Sequence, residues 1–273
     1  TGELAAGRIT RLALIHSVCS GAEARRHLAD RRKLRSAVQP MEIHPVLGDI
    51  EPRDIDLPHN AEPTVSVLIP VYEKVEYTLA CLKSIADHLP EASFEVIIMD
   101  DRSPDGSAVL LQQVRNARVI LNPQNLGFLR SCNNGARSAR GEYLFFLNND
   151  TQVKEGWLDE LLLTFKNFPD CGLAGSKLIY PDGLLQEAGG IVWQDGSAWN
   201  LGNRKDPSLP QYNYAREVDY VSGAAIMVPA KLFHAHGGFD EIFAPAYYED
   251  TDLALRLRAA GKSVIYQPIS DEL

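Results

Sequence analysis

Two short apolar runs in this chain each stop abruptly at acidic or amide side chains. The run 94–99 is followed by Asp100 and Asp101, and the run 143–147 is followed by Asn-Asn-Asp at 148–150. Short apolar runs that stop at turn residues are typical of buried strands in a parallel sheet. Ligands of such sheets gather at the carboxyl ends of the strands. The pattern therefore predicts that both polar groups lie at one ligand-binding edge.

Strand and helix patterns alternate from Val65 onward. The predicted strands are 65–71, 94–99, 118–121 and 142–147, and the predicted helices between them include 108–114 and 127–140. This alternation predicts right-handed βαβ units, and hence an α/β fold with a mainly parallel sheet flanked by helices. After Pro169 the regular alternation of strand and helix patterns ends. The extended, glycine-rich runs that follow predict a mixed or antiparallel part of the sheet. A last helix is predicted to begin near Asp250 and to end at Gly261.

The composition is that of an ordinary globular protein, with 45% hydrophobic and 23% charged residues. The formal net charge of -9 argues against a nucleic-acid-binding protein, which normally carries a basic surface. No apolar stretch is long enough to cross a bilayer. The first residues also lack a basic segment followed by an apolar core. We therefore expect a cytoplasmic protein, located either in solution or peripherally at the inner face of the membrane.

Residues 1–60 differ from the rest of the chain. A basic stretch with helical character at 25–35 is followed by four prolines between residues 40 and 58, which break any regular pattern. We predict a helical extension and linker over 1–60, followed by one domain over 61–273. The basic stretch is either a solvated helix face or a docking surface for another domain or an anionic membrane, and the sequence leaves both open. Because the chain starts without Met, we expect it to be part of a larger chain.

The segment 100–106, Asp-Asp-Arg-Ser-Pro-Asp-Gly, is a strand-end loop rich in hydrogen-bonding groups. Carboxylates there can accept hydrogen bonds from the N–H of a nucleobase or from ribose hydroxyls. We interpret Asp100 and Asp101 as ligand contacts. Asp105 is instead predicted to be a cap or turn residue, since it precedes a helix and Asp is a good N-cap.

The segment 148–150 supplies a single carboxylate, Asp150. Mg²⁺ and Mn²⁺ bind a few protein oxygens and complete their shell with substrate phosphates and water. One carboxylate is therefore sufficient where a diphosphate supplies the remaining ligands. An ordinary Asx turn after a strand would account for the two asparagines equally well, and this alternative stays open.

A third acidic segment, Glu-Asp-Thr-Asp at 249–252, opens the last predicted helix. Acidic side chains at a helix N-terminus are favoured by the helix dipole, so capping accounts for one of them. Four polar residues are more than a cap requires. A carboxylate in this position can take a proton from an attacking hydroxyl group.

Taken together and in order, these motifs resemble the family 2 glycosyltransferases, which have the GT-A fold. The resemblance covers about residues 64–268. It rests on the segments 65–72, 100–103, 125–128, 133–135, 141–150, 221–225, 237–240 and 248–253. The segment 185–193 most resembles enzymes of bacterial surface polysaccharide assembly, including rhamnosyltransferase-like ones.

The resemblance implies transfer of a sugar from a nucleotide-diphosphate-sugar to a hydroxyl of a glycan or lipid-linked glycan, with inversion at the anomeric carbon. The donor-binding residues that it implies are Pro70, Tyr72, Glu73, Asp100, Asp101 and Asn149. It also implies that Asp150 holds Mg²⁺ or Mn²⁺ against the diphosphate, where the metal neutralises charge on the departing nucleotide. Asp250 matches the general base, and Glu249 supports it or contacts the acceptor.

Two departures from the family pattern bear on activity. Asn148 stands where the first acid of the family's DxD-type motif is expected, which lowers the negative charge available to a metal. Related sequences also place a His-containing segment just after the strand that here ends in Tyr-Gln-Pro at 266–268, and this chain ends before it. We therefore expect a domain truncated at its C-terminal end. A nucleotidyltransferase is disfavoured, because Val-Tyr-Glu-Lys at 71–74 stands where its glycine-rich loop belongs.

Two questions remain open at this stage. The chain is either an active enzyme or, as the alternative, a catalytically silent nucleotide-sugar-binding or interaction module of a larger protein. Trp193 and Trp199 either stack on a sugar face or belong to the core. Residue patterns alone do not separate these possibilities, because both depend on the shape of a site.

Overall fold

A mixed sheet of nine strands forms the centre of the protein, and the computed structural model describes residues 50–272. The strands are β1 (Val65–Val71), β2 (Phe94–Asp100), β3 (Ala117–Leu121), β4 (Tyr143–Leu147), β5 (Cys171–Ile179), β6 (Leu185–Glu187), β7 (Gly190–Val192), β8 (Ala198–Asn200), β9 (Arg216–Glu217), β10 (Ala225–Pro229) and β11 (Ser263–Glu272). Their order in the sheet is β3-β2-β1-β4-β10-β5-β11-β9, with β6 paired to β5. Strands β7 and β8 form a separate hairpin.

Helices cover both faces of this sheet. They are α1 (Val75–Asp87), α2 (Ser107–Leu111), α3 (Phe128–Ser138), α4 (Asp159–Asn167), α5 (Ala230–Ala235) and α6 (Glu249–Ala259). Short 3-10 turns occupy Pro52–Asp54, Pro210–Tyr212 and Glu241–Phe243. None of the helices in the described part of the chain has the length and apolar character needed to span a membrane.

The sheet is parallel in its first half and mixed in its second. Strands β3, β2, β1 and β4 run parallel to one another, as the alternating pattern predicts. Strand β10 then runs antiparallel between β4 and β5, while β5 and β11 are again parallel. The prediction of an α/β fold with a mixed, mainly parallel sheet flanked by helices is confirmed.

Alternate residues of the central strands face two separate core layers. Val67 and Ile69 of β1 belong to the layer that contains the apolar face of α1, whereas Leu68 between them belongs to the layer with α3 and α6. All seven residues of β1 are buried, because helices cover both sides. This explains why the strand reads as a continuous apolar run, with only Ser66 and Pro70 interrupting it.

The central strand β5 is a feature that the sequence analysis did not predict. Its nine residues are all buried, yet it begins Cys-Gly-Leu-Ala-Gly-Ser, which lacks the β-branched and aromatic residues typical of strands. The small residues are required by packing. A Cβ on Gly175 would lie 2.4 Å from Cβ of Val221, so no larger residue fits there without movement.

Helix α6 ends where the sequence predicts. Gly261 adopts a left-handed conformation with φ of 79°, and its N–H donates to the carbonyl of Arg258 at 3.0 Å. The N–H of Lys262 donates to the carbonyl of Leu257, also at 3.0 Å. These two bonds form a Schellman motif, which satisfies carbonyl groups at the end of the helix and turns the chain into β11.

The predicted N-terminal extension falls mostly outside the described residues. Of its described end, Ile55 and Leu57 are buried in the same core layer as α1, and Asp56 pairs with Arg115 in a parallel bridge. This part of the predicted linker therefore packs onto the domain. The boundaries at 60 and 61 and the helical character of the preceding residues stay predictions.

We expect Gly175→Ala to lower the free energy of unfolding by about 1–3 kcal/mol, because the added methyl overpacks the contact with Val221. Urea unfolding of the wild type and both single variants, Gly175→Ala and Val221→Ala, measures this. The double variant should lose less than the sum of the two single losses, since removing the Val221 side chain relieves the clash. Strictly additive losses would contradict the packing argument.

Candidate active site

The polar segments predicted from the sequence meet at one edge of the sheet. Asp100, the last residue of β2, lies opposite Val71, the last residue of β1. Leu147, the last residue of β4, pairs with Ala225, the first residue of the antiparallel β10. The segments 100–103 and 148–150 therefore leave the sheet at the same edge, as does the loop that leads into β10.

Asp100 has a carboxylate oxygen that the fold does not use. Its Oδ1 accepts a hydrogen bond from the N–H of Ser103 at 3.1 Å, and the residue is only 2% exposed. Its Oδ2 is buried and has no hydrogen-bond partner among the described residues. A buried carboxylate oxygen without a partner is costly and calls for an explanation. A ligand donor, such as a nucleobase N–H, would satisfy it.

The neighbouring Asp101 is used by the protein itself. Its Oδ1 accepts from the side-chain amide of Asn122 at 3.0 Å and from the N–H of Leu126 at 2.8 Å. Its Oδ2 accepts from the N–H of Gly127 at 2.8 Å. Asp101 thus anchors the loop that leads into α3. Its predicted contact with a ligand stays a prediction, and its observed contacts are with the chain.

The residues after β1 are tied to the loop after β2. The N–H of Glu73 donates to Ser103 Oγ at 2.9 Å, and the N–H of Lys74 donates to Asp105 Oδ2 at 3.0 Å. Asp105 also accepts from the N–H of Ser107, so it is the turn residue that the sequence predicts. Pro70 is buried inside β1, whereas the ring of Tyr72 is exposed at the edge of the site.

The segment 148–150 divides into anchoring residues and one exposed carboxylate. The side-chain amide of Asn149 donates to Thr78 Oγ1 on α1 at 3.0 Å. The N–H of Thr151 donates to the carbonyl of Asn148 at 3.2 Å, which closes a turn. Asp150 is exposed. The bond that closes the turn joins two main-chain groups, and the Asn149 side chain ties the turn to α1. The ligand role of Asp150 stays a prediction.

The donor atoms at this turn fit a hard cation that also binds phosphate. Asp150 offers oxygen ligands, which Mg²⁺ and Mn²⁺ prefer. Within residues 50–272, no group of three or more His, Cys, Asp or Glu side chains is arranged to hold a metal ion. A cation at Asp150 would therefore take most of its ligands from a diphosphate and from water.

Asp250 is held at the start of α6 by backbone donors. Its Oδ2 accepts from the N–H of Gly223 at 2.7 Å. Its Oδ1 accepts from the N–H of Thr251 at 2.6 Å and from the Thr251 hydroxyl at 3.2 Å. Burial raises the pKa of Asp250 above its usual value, although the bond from Gly223 opposes this. Such a carboxylate is basic for its type and fixed in orientation.

Glu249 is a buried carboxyl beside Asp250. It is 6% exposed, and its Oε2 has no hydrogen-bond partner in the described chain. Burial, and then the charge of Asp250, raise the pKa of Glu249 to about 8. The nearby thiol of Cys132 on α3 also has a raised pKa, because of burial and then the charges of Glu249 and Asp101. Cys132 therefore lies near both Glu249, at the start of α6, and Asp101, just after β2.

A third buried carboxyl, Glu187, was missed by the sequence analysis. It ends β6 and is 0% exposed. Its Oε1 accepts from the N–H of Ser222 at 2.8 Å, and its Oε2 has no partner among residues 50–270. Burial, and then the charge of Asp250, raise the pKa of Glu187 to about 8. The sequence signal that could have identified Glu187 is that it is a single acidic residue inside an apolar, glycine-rich run.

One short loop, Ser-Gly-Ala at 222–224, joins three of these polar segments. Its first N–H binds Glu187, and its second N–H binds Asp250. The carbonyl of its last residue accepts from the N–H of Asn148 at 2.8 Å. The loop leads directly into β10, so its position is fixed by the sheet. We call residues 222–224 the bridging loop.

The backbone just before α6 is strained. Tyr247 and Tyr248 have φ values of 85° and 69°, in the left-handed region that favours glycine. Each such conformation in a non-glycine residue costs about 1–3 kcal/mol and is found mainly at functional sites. Here it aims the N-terminus of α6, with Glu249 and Asp250, at the edge of the sheet.

Trp193 and Trp199 do not belong to the core. They are 48% and 62% exposed, and their rings meet edge to face with centroids 5.7 Å apart. Both extend from the hairpin β7–β8, whose residue Asn200 accepts a hydrogen bond from the hydroxyl of Tyr220 at 2.7 Å. The core alternative is therefore wrong, and stacking on a sugar stays a prediction.

We expect Asp101→Asn to lower the free energy of unfolding by about 1–3 kcal/mol. An NH₂ donor replaces one oxygen, so it either faces the N–H of Leu126, which then has no acceptor, or faces the N–H of Gly127, which keeps only Asn125 Oδ1 at 3.1 Å. Asp100→Asn should cost little stability by comparison. Urea unfolding of both variants distinguishes the anchor from the ligand residue. Equal losses would contradict this division.

We expect Glu249→Gln to stabilise the protein at pH 8 and to have little effect at pH 5. The folded-state pKa of about 8 lies above the ordinary value of 4.5. The folded protein therefore binds this proton more tightly than the unfolded chain, and stability falls as pH rises through that window. Urea unfolding between pH 5 and pH 8 measures the effect, with Glu91→Gln at an exposed turn as the control. The same pH dependence in both variants would contradict the assignment.

Comparison with known proteins gives relatives over most of the described chain. This chain is 32% identical to O-antigen biosynthesis protein RfbC of Myxococcus xanthus over 218 residues. The aligned region covers 76% of this chain and 17% of that protein. The chain is 26% identical over 238 residues to the N-acetylglucosaminyl-diphospho-decaprenol L-rhamnosyltransferase of Mycobacterium tuberculosis, covering 77% of this chain and 75% of that protein. The chain thus spans only a small part of the first relative.

Solved structures show the same fold at low sequence identity. GalNAc-T7 with UDP, GalNAc and Mn²⁺ matches with a TM-score of 0.61 and 18% identity, covering 78% of this chain and 44% of that chain. The mannosyltransferase PcManGT from Pyrobaculum calidifontis, in complex with GDP-Man and Mn²⁺, matches with a TM-score of 0.55 and 16% identity. That match covers 95% of this chain and 67% of the other. The fold is therefore GT-A, as the resemblance implies.

The sequence model described as Glycosyl transferase family 2 matches residues 66–221, which include β1, β2, β4 and the loop after each of them. This match extends over more than half of the 273 residues. The ordered motifs, the GT-A fold and the polar groups at one sheet edge agree with it. The chain belongs to glycosyl transferase family 2.

Proposed function

We propose that this chain is an inverting, metal-dependent glycosyltransferase that moves a sugar from a nucleotide-diphosphate-sugar to a hydroxyl acceptor in bacterial polysaccharide or glycan assembly. The observation that carries the proposal is the presence of two differently placed carboxylates at one sheet edge. Asp150 is exposed after β4 and fits a cation with a diphosphate, while Asp250 at the start of α6 is held by the N–H of Gly223 in the bridging loop. Asp150 would serve the donor and Asp250 the acceptor.

The donor side is formed by the ends of β1, β2 and β4. Asp100 Oδ2 is buried without a partner and suits a nucleobase or ribose donor, and the exposed ring of Tyr72 suits a base face. Pro70 and Glu73 shape the wall, and the latter is tied to Ser103. Asp101 and Asn149 support this side through the loop and turn that they hold.

Asp150 would hold the metal ion, Mg²⁺ or Mn²⁺. A bound cation neutralises charge on the diphosphate leaving group. The two solved structures with this fold contain UDP with Mn²⁺ and GDP-Man with Mn²⁺, respectively. The asparagines at 148–149 contribute the fixed turn, so that Asp150 can meet the diphosphate without rearrangement of the chain.

Asp250 would be the general base. A carboxylate whose pKa is raised by burial takes a proton from a hydroxyl more readily than an ordinary one. Inversion needs one such base, because the acceptor oxygen attacks in line and no covalent sugar–enzyme intermediate forms. The bond from Gly223 keeps one oxygen in place. Glu249 beside it would support the base or contact the acceptor.

The acceptor side includes the hairpin with Trp193 and Trp199. Exposed aromatic rings stack well on the apolar faces of sugars, so the pair would receive a glycan. The Mycobacterium tuberculosis relative is named for N-acetylglucosaminyl-diphospho-decaprenol, a sugar linked to a polyprenol through a diphosphate. We extend this to a glycan or lipid-linked glycan acceptor here. A lipid-linked acceptor would place the enzyme at the inner face of the membrane, where the sequence analysis expects it.

We expect Asp150→Ala to weaken Mn²⁺-dependent donor binding at least about tenfold, since it removes the cation's carboxylate ligand. Asp250→Asn should keep donor binding but lower kcat about 100-fold or more, because it removes the base. Calorimetry and nucleotide release measure the two effects with UDP-glucose, UDP-N-acetylglucosamine, GDP-mannose and dTDP-rhamnose. Asp87→Ala, an exposed carboxylate on α1, is the matched control.

Loss of donor binding in Asp250→Asn would contradict the proposed separation of roles. Donor binding without transfer or hydrolysis in the wild type would favour the silent nucleotide-sugar-binding module instead. Absence of binding by every donor of the panel would contradict the proposed function for this chain.

A further inference from the structure

The proposed function gives roles to Asp250 and Glu249 but none to Glu187. Glu187 is fully buried, although it sits in a three-residue strand at the edge of the bridging loop. A buried acid is rare unless it is paired or hydrogen-bonded, because transfer of the charge from water is costly. Among the described residues, its carboxyl accepts a hydrogen bond from one backbone N–H, that of Ser222, and its Oε2 has no partner.

Two consecutive N–H groups connect Glu187 to Asp250. Ser222 donates to Glu187 Oε1 at 2.8 Å, and the next residue, Gly223, donates to Asp250 Oδ2 at 2.7 Å. The two N–H groups belong to successive peptide planes that share the Cα of Ser222, so each acid fixes one of the two planes. If the Glu187 acceptor is removed, the Ser222 N–H loses its partner, the first of the two planes loses that bond, and Ser222 keeps the turn bonds that its carbonyl and hydroxyl accept.

We propose that Glu187 is a positioning residue that holds Asp250 in its reactive orientation through the backbone of Ser222 and Gly223. The proposal rests on the proposed function, because Asp250 is the base only there. It assigns Glu187 no contact with the substrate. The Glu187 carboxyl accepts the N–H of Ser222 in the bridging loop, and the N–H of Gly223 in the same loop donates to Asp250.

The surroundings of Glu187 indicate that it acts as a neutral acid. The titratable groups that interact with it are Asp250 on α6 and the phenol of Tyr220. Arg216 donates to the carbonyl of the adjacent Ala188, and Lys177 on the neighbouring β5 donates to Asn213. No cation is recorded as a partner of the Glu187 carboxyl among the described residues.

The effect of Glu187 on Asp250 depends on whether the Glu187 carboxyl carries a proton. Burial and the charge of Asp250 raise the pKa of Glu187 to about 8, from an ordinary 4.5. The folded protein therefore keeps this proton through neutral pH, and loses stability as pH rises towards 8. Above that value a second negative charge forms near Asp250. We expect the two charges to repel and the bridging loop to shift, so that activity falls.

The test compares Glu187→Ala with the conservative Glu187→Gln. Gln keeps an oxygen for the Ser222 N–H but cannot ionise, whereas Ala leaves that N–H without an acceptor. We expect Glu187→Ala to lower kcat about 100-fold with the donor KM changed less than about threefold, as for a misplaced catalytic group. Glu187→Gln should recover at least tenfold of that loss. It should also show a smaller fall in kcat near pH 8 than the wild type, in which Glu187 ionises in that range as well as Glu249.

Controls distinguish a loss of Asp250 positioning from a loss of folding and from a failure of the proposed function. Glu91→Gln, an exposed acid in the turn before β2, should match the wild type across the pH range. Melting curves identify any variant that does not fold, and kcat is measured well below the melting temperature. The amide signal of Gly223 in ¹⁵N NMR reports its bond to Asp250 without any need for activity. It should change strongly in Glu187→Ala and little in Glu187→Gln.

The outcomes are distinct. A wild-type kcat in Glu187→Ala, or a Gly223 amide signal unchanged in that variant, overturns the proposal. Equal kcat losses in the Ala and Gln variants also overturn it, because they would mean that the proton of Glu187 itself is required. If the wild type transfers no sugar at all, the proposed function fails, while the NMR comparison still tests the link between Glu187 and Asp250.

Discussion

The hydrogen bonds of the bridging loop determine the relative placement of the acidic groups. Residues 222–224 bind Glu187 and Asp250 through two N–H groups and Asn148 through a carbonyl. The groups come from β6, from α6 and from the turn after β4, which are far apart in the chain. Because the loop is continuous with β10, the sheet itself sets their spacing. Side-chain chemistry here depends on backbone geometry.

Neighbouring polar residues divide into those that hold the site and those left for a ligand. Asp101 and Asn149 bind other parts of the chain, whereas Asp100 keeps a buried oxygen with no hydrogen-bond partner among the described residues and Asp150 is exposed. This division lowers the conformational entropy that is lost on ligand binding. A residue fixed by its neighbour loses little conformational entropy when a ligand binds, so the anchoring residue improves affinity without touching the ligand.

The sequence was sufficient for the parts of the fold with strong local signals. Strands β1, β2 and β4 are uninterrupted apolar runs that stop at turn residues, so they and the site edge could be predicted. Strand β5 could not, because its small residues reflect the approach of Val221 and not an intrinsic preference. Likewise, adjacent Asp100 and Asp101 look alike in sequence. Their roles differ through contacts with residues more than twenty positions away, and Glu187 is bound from 35 positions away.

The antiparallel direction of β10 has a consequence for how such a site can vary over evolutionary time. Because β10 runs against β4, the segment before it, and not after it, reaches the site. That segment makes its contacts to Glu187, Asp250 and Asn148 with main-chain atoms only. An insertion or deletion of one residue would therefore shift all three contacts at once. The side chains are restricted locally, since Ser222 Oγ accepts from the N–H of Ala224 at 3.3 Å and a Cβ on Gly223 would lie 3.4 Å from Asp250 Oδ2. Selection on this loop should act on its length as well as on its composition.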